Sequence, residues 1–330
     1  MNKFAVLAAA GAATIAARRM VAFGRMMSVV APELRTAAII PMSVPLTPLT
    51  LPVMRLAYRY RSDPGPGVDM TEHRVGRIEV LVLTPTAGTA PRPAVLALHG
   101  GAMCVGTAQL EAEPAARIAR ELGAVMVMPN YRLAPEHPFP APFDDCMATL
   151  RWLREHAGEF GVDVDRIAVF GPSAGGGLAA AVVQRAFDEG IPLRAQAMIY
   201  PMLDDRTVLK DDHGGRGGLV WSPASNRFAW TAYLGREPRM SDAPDYAAPA
   251  RRTDLSGLPP AWIGIGDLDL FRDECVDYAE RLTAAGVPCS LVTVPGMYHT
   301  ADGLRRNAPT IRAFYAAMNE FLRSHLHAAD

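Results

Sequence analysis

Cysteine is scarce in this sequence of 330 residues, and the four present, Cys104, Cys146, Cys275 and Cys289, are not closely paired. That spacing excludes a cysteine metal motif and a disulfide framework, and it is typical of thiols in a reduced compartment such as the cytoplasm. Lysine is scarcer still, yet arginine keeps the net charge at −1, with no block of like charges. A near-neutral chain of this kind gives no indication of a nucleic-acid partner.

The N-terminal apolar run, residues 4–17, is too short to cross a bilayer, which takes roughly 20 residues. It follows Lys3, precedes Arg18 and Arg19, and draws its hydrophobicity mostly from alanine. We expect a helix that packs on the body of the protein and touches a membrane surface peripherally. A cleaved signal peptide, and with it export, is the alternative, because Ala-x-Ala-like cleavage sites are available.

Hydrophobic residues make up half of the chain, enough for one large domain or two ordinary ones. From residue 94 onward, short apolar runs alternate with helical patterns. Apolar strands separated by helices predict an α/β fold with a mostly parallel sheet that helices cover on both faces. The predicted strands are 94–98, 124–128, 166–170, 195–200, 261–265 and 289–294, with one outer strand at 73–84.

The alternation stops between residues 204 and 259, so we predict one domain built from four parts. Residues 61–203 and 260–330 form its core. The proline-rich residues 1–60 and the insertion 204–259 form two segments of a helical cap. Active sites in parallel sheets lie at the carboxyl ends of the strands, where such an insertion can cover them. The strand 289–294 is expected at an exposed edge, where it could pair in a homodimer.

One turn stands at such a strand end, Gly171-Pro172-Ser173-Ala174-Gly175, between an apolar run and an alanine-rich helical stretch. This strand–turn–helix context is typical of a nucleophilic serine. The turn is so tight that the positions two before and two after the serine must be small, and both are glycine. We therefore expect Ser173 to project above the sheet edge as a nucleophile.

A serine hydroxyl needs a base to take its proton, and the base needs a third group to orient it. Asp267 and Asp269 both follow the strand 261–265, and spacing alone does not separate Asp269, our choice, from Asp267. Of the eight histidines, His299 alone lies in a loop after a strand and in the chain order serine, acid, histidine.

The loop His99-Gly100-Gly101-Ala102 follows the strand 94–98 and offers backbone N–H groups to a negatively charged oxygen. The N–H of Ala174, directly after the nucleophile, supplies another. Removing one such donor typically costs on the order of a hundredfold in rate.

Five motifs in this order resemble the bacterial hormone-sensitive-lipase-like carboxylesterases, family IV of the α/β-hydrolase superfamily. They are His99-Gly100-Gly101-Ala102, the stretch from Tyr131 to Ala141, Gly171 to Gly176, Asp269 to Glu274, and Tyr298-His299. The resemblance implies an α/β-hydrolase fold with a cap, and ester hydrolysis through an acyl-enzyme without metal or organic cofactor. It implies catalytic residues Ser173, Asp269 and His299 and an oxyanion hole of Gly101, Ala102 and Ala174.

Two residues depart from the family pattern. Ala102 stands where the family usually has glycine, so its methyl group is expected to narrow the oxyanion hole and exclude bulky, above all tertiary, alcohol groups. Pro172 stands where an acidic or small polar residue is usual, and its fixed φ is expected to stiffen the turn.

The resemblance and the lack of a long apolar lid helix favour short- to medium-chain acyl esters as substrates. Possible pocket residues are Met20, Phe23, Met26, Met27, Met54, Trp221 and Trp230, although most such residues are ordinary core. Two alternatives remain at this point, a non-catalytic small-molecule binding protein on the same fold and an amidase with the same triad.

Overall fold

The computed structural model describes residues 23–24 and 26–327. An eight-stranded sheet forms its centre, in the order β1-β2-β4-β3-β5-β6-β7-β8. The strand β2 pairs antiparallel with β1 and β4, and all other neighbours are parallel, which confirms the predicted α/β-hydrolase architecture. The strands are β1 Val68–Val75, β2 Ile78–Pro85, β3 Arg92–Ala97, β4 Val125–Asn130, β5 Val162–Pro172, β6 Ala195–Ile199, β7 Ala261–Gly266 and β8 Cys289–Val294.

Helices cover both faces of the sheet, because its inner strands carry apolar side chains in both directions. Every residue of β6 and β7 is buried. The helices are α1 Ile39–Met42, α2 Leu51–Ala57, α3 Ala112–Leu122, α4 Ala141–Glu155, α5 Ala174–Asp188, α6 Pro223–Leu234, α7 Arg272–Ala284, α8 Ala301–Leu304 and α9 Pro309–Leu326. Among the described residues, no helix is long and apolar enough to cross a membrane.

The prediction of a single outer strand over residues 73–84 is wrong. The structure has a hairpin there, in which β1 and β2 pair from Val68 opposite Pro85 to Val75 opposite Ile78. Gly76 has φ +60° and takes the first position of the two-residue turn, a conformation that glycine adopts without steric cost. The continuous alternation on both sides of Gly76 concealed this turn.

The segment Val30–Tyr58, here named the crossing segment, runs from the loop after β8 to the loop after β3. Near its start, the Ala31 N–H donates to the Gly296 carbonyl at 3.1 Å, and the Tyr298 hydroxyl donates to the Leu34 carbonyl at 3.1 Å. Near its end, the Arg55 Nε donates to the Cys104 carbonyl at 2.9 Å. The expected N-terminal helix over residues 4–17 lies outside the described residues.

The middle of the crossing segment meets the insertion 204–259. The Val220 N–H donates to Ser43 Oγ at 3.0 Å, and the Leu46 N–H donates to Ser225 Oγ at 3.1 Å. Ser225 lies in the first turn of α6, where the Ser222 side chain accepts a hydrogen bond from its N–H and caps the helix. Two serine hydroxyls, Ser43 on the crossing segment and Ser225 on the insertion, therefore connect the two segments.

Candidate active site

The turn between β5 and α5 has the strained geometry of a nucleophile elbow. Ser173 has φ +54° and ψ −123°, a region that residues with a Cβ rarely adopt. A Cβ added at Gly171 would collide with the backbone of Gly175, and one at Gly175 would collide with the Leu98 carbonyl. These two glycines therefore let α5 start close to the strand ends and leave the Ser173 side chain above the sheet edge.

Ser173, His299 and Asp269 form a continuous hydrogen-bonded chain. Ser173 Oγ lies 3.0 Å from His299 Nε2, and His299 Nδ1 lies 2.7 Å from Asp269 Oδ2. All three side chains are buried, and the Asp269 carboxylate is 1% exposed. The second oxygen of Asp269 accepts the Phe271 N–H at 2.9 Å, which fixes the orientation of the carboxylate. A base held between a hydroxyl and a carboxylate can take the proton of that hydroxyl.

The structure separates the two aspartates that spacing left equivalent. Asp267 Oδ1 accepts the Gly296 N–H at 2.7 Å and so ties the loop after β7 to the loop that leads to His299. It makes no hydrogen bond to the imidazole, whereas Asp269 does. Asp267 is thus placed as a brace of the histidine loop.

The loop after β3 turns its backbone through three consecutive positive φ angles, +111° at Gly101, +58° at Ala102 and +54° at Met103. In the described chain, no hydrogen bond uses the N–H groups of Gly101, Ala102 or Ala174. Ala102 and Ala174 are nevertheless buried, and buried N–H groups are nearly always paired in native proteins. Three unused donors beside a candidate nucleophile are a suitable environment for an oxyanion.

The side chain of His99 contacts this loop and Tyr131 and stabilises the loop conformation. Its Nδ1 lies 2.8 Å from the Gly100 carbonyl, and its ring stacks on Tyr131 with centroids 4.0 Å apart. The Tyr131 hydroxyl donates to the His99 carbonyl at 2.7 Å. Burial lowers the pKa of His99 to about 4, so it stays neutral at physiological pH. The stretch that begins at Tyr131 also donates the Ala134 N–H to the Met103 carbonyl at 2.8 Å and so supports the loop at a second point.

Sequence reasoning missed Tyr200, which packs on His299 with ring centroids 4.5 Å apart. The Tyr200 hydroxyl donates to Asp302 Oδ1 at 2.8 Å, and the Tyr315 hydroxyl donates to Asp302 Oδ2 at 2.7 Å. Burial raises the pKa of nearby Glu111 to about 7, and Asp302 adds to this shift. The position of Tyr200, directly after β6, was the available signal, since strand ends supply site residues in this fold.

Other aromatic side chains close the space around the imidazole. Trp221 lies 6.0 Å from His299 and Phe271 lies 5.4 Å away, both between ring centroids. Of the expected pocket residues, Trp221 is therefore near the site, whereas Trp230 is fully buried in the core. Met20 lies outside the described residues. Residues 23–24 and 26–327 contain no cluster of three or more His, Cys, Asp or Glu that could hold a metal ion.

The fold and this arrangement of side chains are those of an α/β hydrolase. A sequence model of the family described as alpha/beta hydrolase fold matches residues 95–302. The chain belongs to this family, in the hormone-sensitive-lipase-like branch of ester-hydrolysing enzymes that its motifs resemble.

Two similar relatives come from Mycobacterium tuberculosis. Carboxylesterase NlhH is 40% identical over 229 residues, which cover 67% of this chain and 70% of the relative. Esterase LipI is 37% identical over 213 residues, which cover 64% of this chain. The match spans 66% of LipI, just under two thirds of the length of that relative. Among solved structures, a bacterial heroin esterase superposes with a TM-score of 0.83 at 35% identity, covering 92% of this chain and 99% of that one.

Proposed function

We propose that the protein is a carboxylic ester hydrolase that acts through an acyl-enzyme on Ser173. The main support for the proposal is the continuous hydrogen-bonded chain at the site. Ser173 Oγ lies 3.0 Å from His299 Nε2, and His299 Nδ1 lies 2.7 Å from the buried Asp269 carboxylate. The names of the relatives, esterases and carboxylesterases, agree with it. No residue of this mechanism requires a cofactor.

The reaction follows from these positions. His299 takes the hydroxyl proton while Ser173 Oγ attacks the ester carbonyl, and Asp269 stabilises the imidazolium that forms. The N–H groups of Gly101, Ala102 and Ala174 stabilise the oxyanion. His299 then gives its proton to the departing alcohol. Water, activated by the same base, releases the acid and restores the serine.

The crossing segment and the insertion 204–259 serve, in this proposal, as the cap over the site. The first contacts the loops that carry His299 and the oxyanion donors, and the second places Trp221 beside the imidazole. Residues 61–203 and 260–330 form the catalytic core. With Trp221 and Phe271 packed beside the imidazole and no long apolar lid helix among the described residues, we infer a preference for short- to medium-chain acyl groups.

A hydrolysis series tests the proposal, with p-nitrophenyl esters from acetyl to palmitoyl as substrates. We expect the highest kcat/KM at short to medium length and no activity above background in Ser173→Ala. Asp267→Asn is the matched control, because it changes a neighbouring carboxylate that does not contact the imidazole. Full activity of pure Ser173→Ala would refute the proposal. Lack of activity on every ester, without labelling of Ser173 by a fluorophosphonate, would favour a non-catalytic binding protein instead.

A further inference from the structure

The surface of the N-terminal region is apolar to an unusual degree. Of the eleven large hydrophobic side chains that are exposed among the described residues, seven lie between Val29 and Tyr60. Single exposed hydrophobic residues are ordinary, but a contiguous set marks a surface that contacts something other than water.

Four of these residues form one stripe, Leu49, Val53, Leu56 and Tyr60, here named the outer stripe. Val53 and Leu56 lie three residues apart on one side of α2, and Leu49 and Tyr60 lie just before and just after this helix. Each is between 67% and 89% exposed. The opposite side of α2 faces the protein, with Leu51 buried and Arg55 bonded to the Cys104 and Ala134 carbonyls. The helix is therefore held from within and presents aliphatic side chains outward.

A cavity of about 970 Å³ opens beside the outer stripe. It lies between α2 and α6 and contains none of the catalytic candidates. Leu56, Pro52 and Phe228 are among the residues that line it. The apolar surface thus continues from the stripe into a groove.

The charge of this part of the chain indicates what binds to the apolar surface. In the sequence, residues 1–61 contain eight Lys and Arg but a single acidic residue, Glu33, a net charge of +7 in a chain whose total is −1. Four of the eight basic residues lie outside the described residues. Arg55 is paired with Glu136, and Arg61 is paired with Glu72. Exposed Arg59, which follows α2, has no ion-pair partner in the described part of the chain. Exposed apolar side chains beside an arginine without an ion-pair partner match a lipid surface with anionic headgroups, where each basic residue near the surface adds to the attraction. A protein partner would need acidic groups to match the same charge.

We propose that the outer stripe, with Arg59, docks the protein peripherally on an anionic lipid bilayer. The crossing segment contacts both the His299 loop and the oxyanion loop from its inner side. Docking by its outer side therefore holds the site next to the lipid. The proposal concerns binding only and does not depend on the reaction at Ser173.

Co-sedimentation of the full chain with vesicles tests the proposal. The vesicles contain phosphatidylcholine alone or with about one third phosphatidylglycerol. We expect at least ~tenfold tighter binding to the anionic vesicles, and loss of this difference at about 1 M salt, where the Debye length is ~3 Å. The variant Leu56→Gln/Arg59→Gln removes one stripe side chain and one charge and should bind at least ~tenfold more weakly.

The chain offers a matched control, Arg239→Gln/Met240→Gln, because this exposed Arg and Met pair belongs neither to the stripe nor to the cavity lining and bonds to Arg251 through its carbonyls. It should bind like the wild type, and circular dichroism melting should show both variants folded. Absence of wild-type binding, equal binding to neutral and anionic vesicles, or wild-type binding by Leu56→Gln/Arg59→Gln would each overturn the proposal. The last result would place any membrane contact in residues 1–22. A dimer that only this variant dissociates, without vesicle binding, would assign the stripe to a second copy.

Discussion

Ala102→Gly is expected to widen the oxyanion hole without destabilising the protein. Ala102 is buried and has φ +58°, in the left-handed region. Holding an alanine there costs about 1–2 kcal/mol. The substitution removes this strain but adds about 0.4–1 kcal/mol of backbone entropy to the unfolded chain. The free energy of unfolding should therefore stay constant or rise by up to about 1.5 kcal/mol.

Chemical denaturation measures this difference, and Ala174→Gly is the control. Ala174 contributes to the same proposed hole but lies at the start of α5 with a negative φ. Glycine there should cost about 0.5–1 kcal/mol. In the activity assay, Ala102→Gly should raise kcat/KM for tert-butyl acetate relative to n-butyl acetate by at least ~tenfold. Relief of a steric clash worth about 1.4 kcal/mol between the methyl group and the bulky alcohol is enough for this change. Equal destabilisation by both substitutions, with an unchanged substrate ratio, would refute this reasoning.

Three further predictions concern the two aspartates, Tyr200 and Glu111. Asp269→Asn should lower kcat by about 10⁴-fold, because the imidazole is no longer held in the correct tautomer and orientation. Asp267→Asn should lower kcat less than ~tenfold, and steady-state kinetics measures both effects. Tyr200→Phe should lower the free energy of unfolding, measured in urea, by about 1–2 kcal/mol, because the Asp302 carboxylate loses one hydrogen-bond donor. The same substitution should lower kcat by a larger factor than it raises KM. The pKa of Glu111 is raised to about 7 in the folded protein, from an ordinary value of 4.5. The folded state then binds the extra proton, so wild-type stability should fall as pH rises from about 4.5 to 7. Glu111→Gln should flatten this fall in Tm measured against pH.

The central sheet was predictable because its strands are short apolar runs with clear helical intervals. The predicted strand 289–294 coincides with β8, and the predicted strand 261–265 differs from β7 by one residue. The hairpin at Gly76 was missed because alternation continued across a two-residue turn. Local sequence patterns thus separated strands from helices, because the two differ in periodicity. They did not separate two adjacent strands, which share one periodicity.

Ser173 and His299 could be selected from sequence because their loops follow strands in a fixed chain order. Asp269 and Asp267 could not be separated by spacing, since both lie within reach of the same strand end. Their different partners, His299 Nδ1 and the Gly296 N–H, are long-range contacts that depend on the packing of two loops. Tyr200 had a signal in its position directly after β6, but its contact with His299 joins positions far apart in the chain and could not be inferred from spacing.

The most direct test of the central claim is intact-protein and peptide mass spectrometry after rapid quenching with p-nitrophenyl butyrate. We expect a butyryl adduct on the peptide that contains Ser173, in step with a burst of nitrophenol. His299→Ala should form this adduct far more slowly. Hydrolysis at the wild-type rate with no adduct, or with an adduct on another residue, would contradict the assignment of Ser173 as the nucleophile.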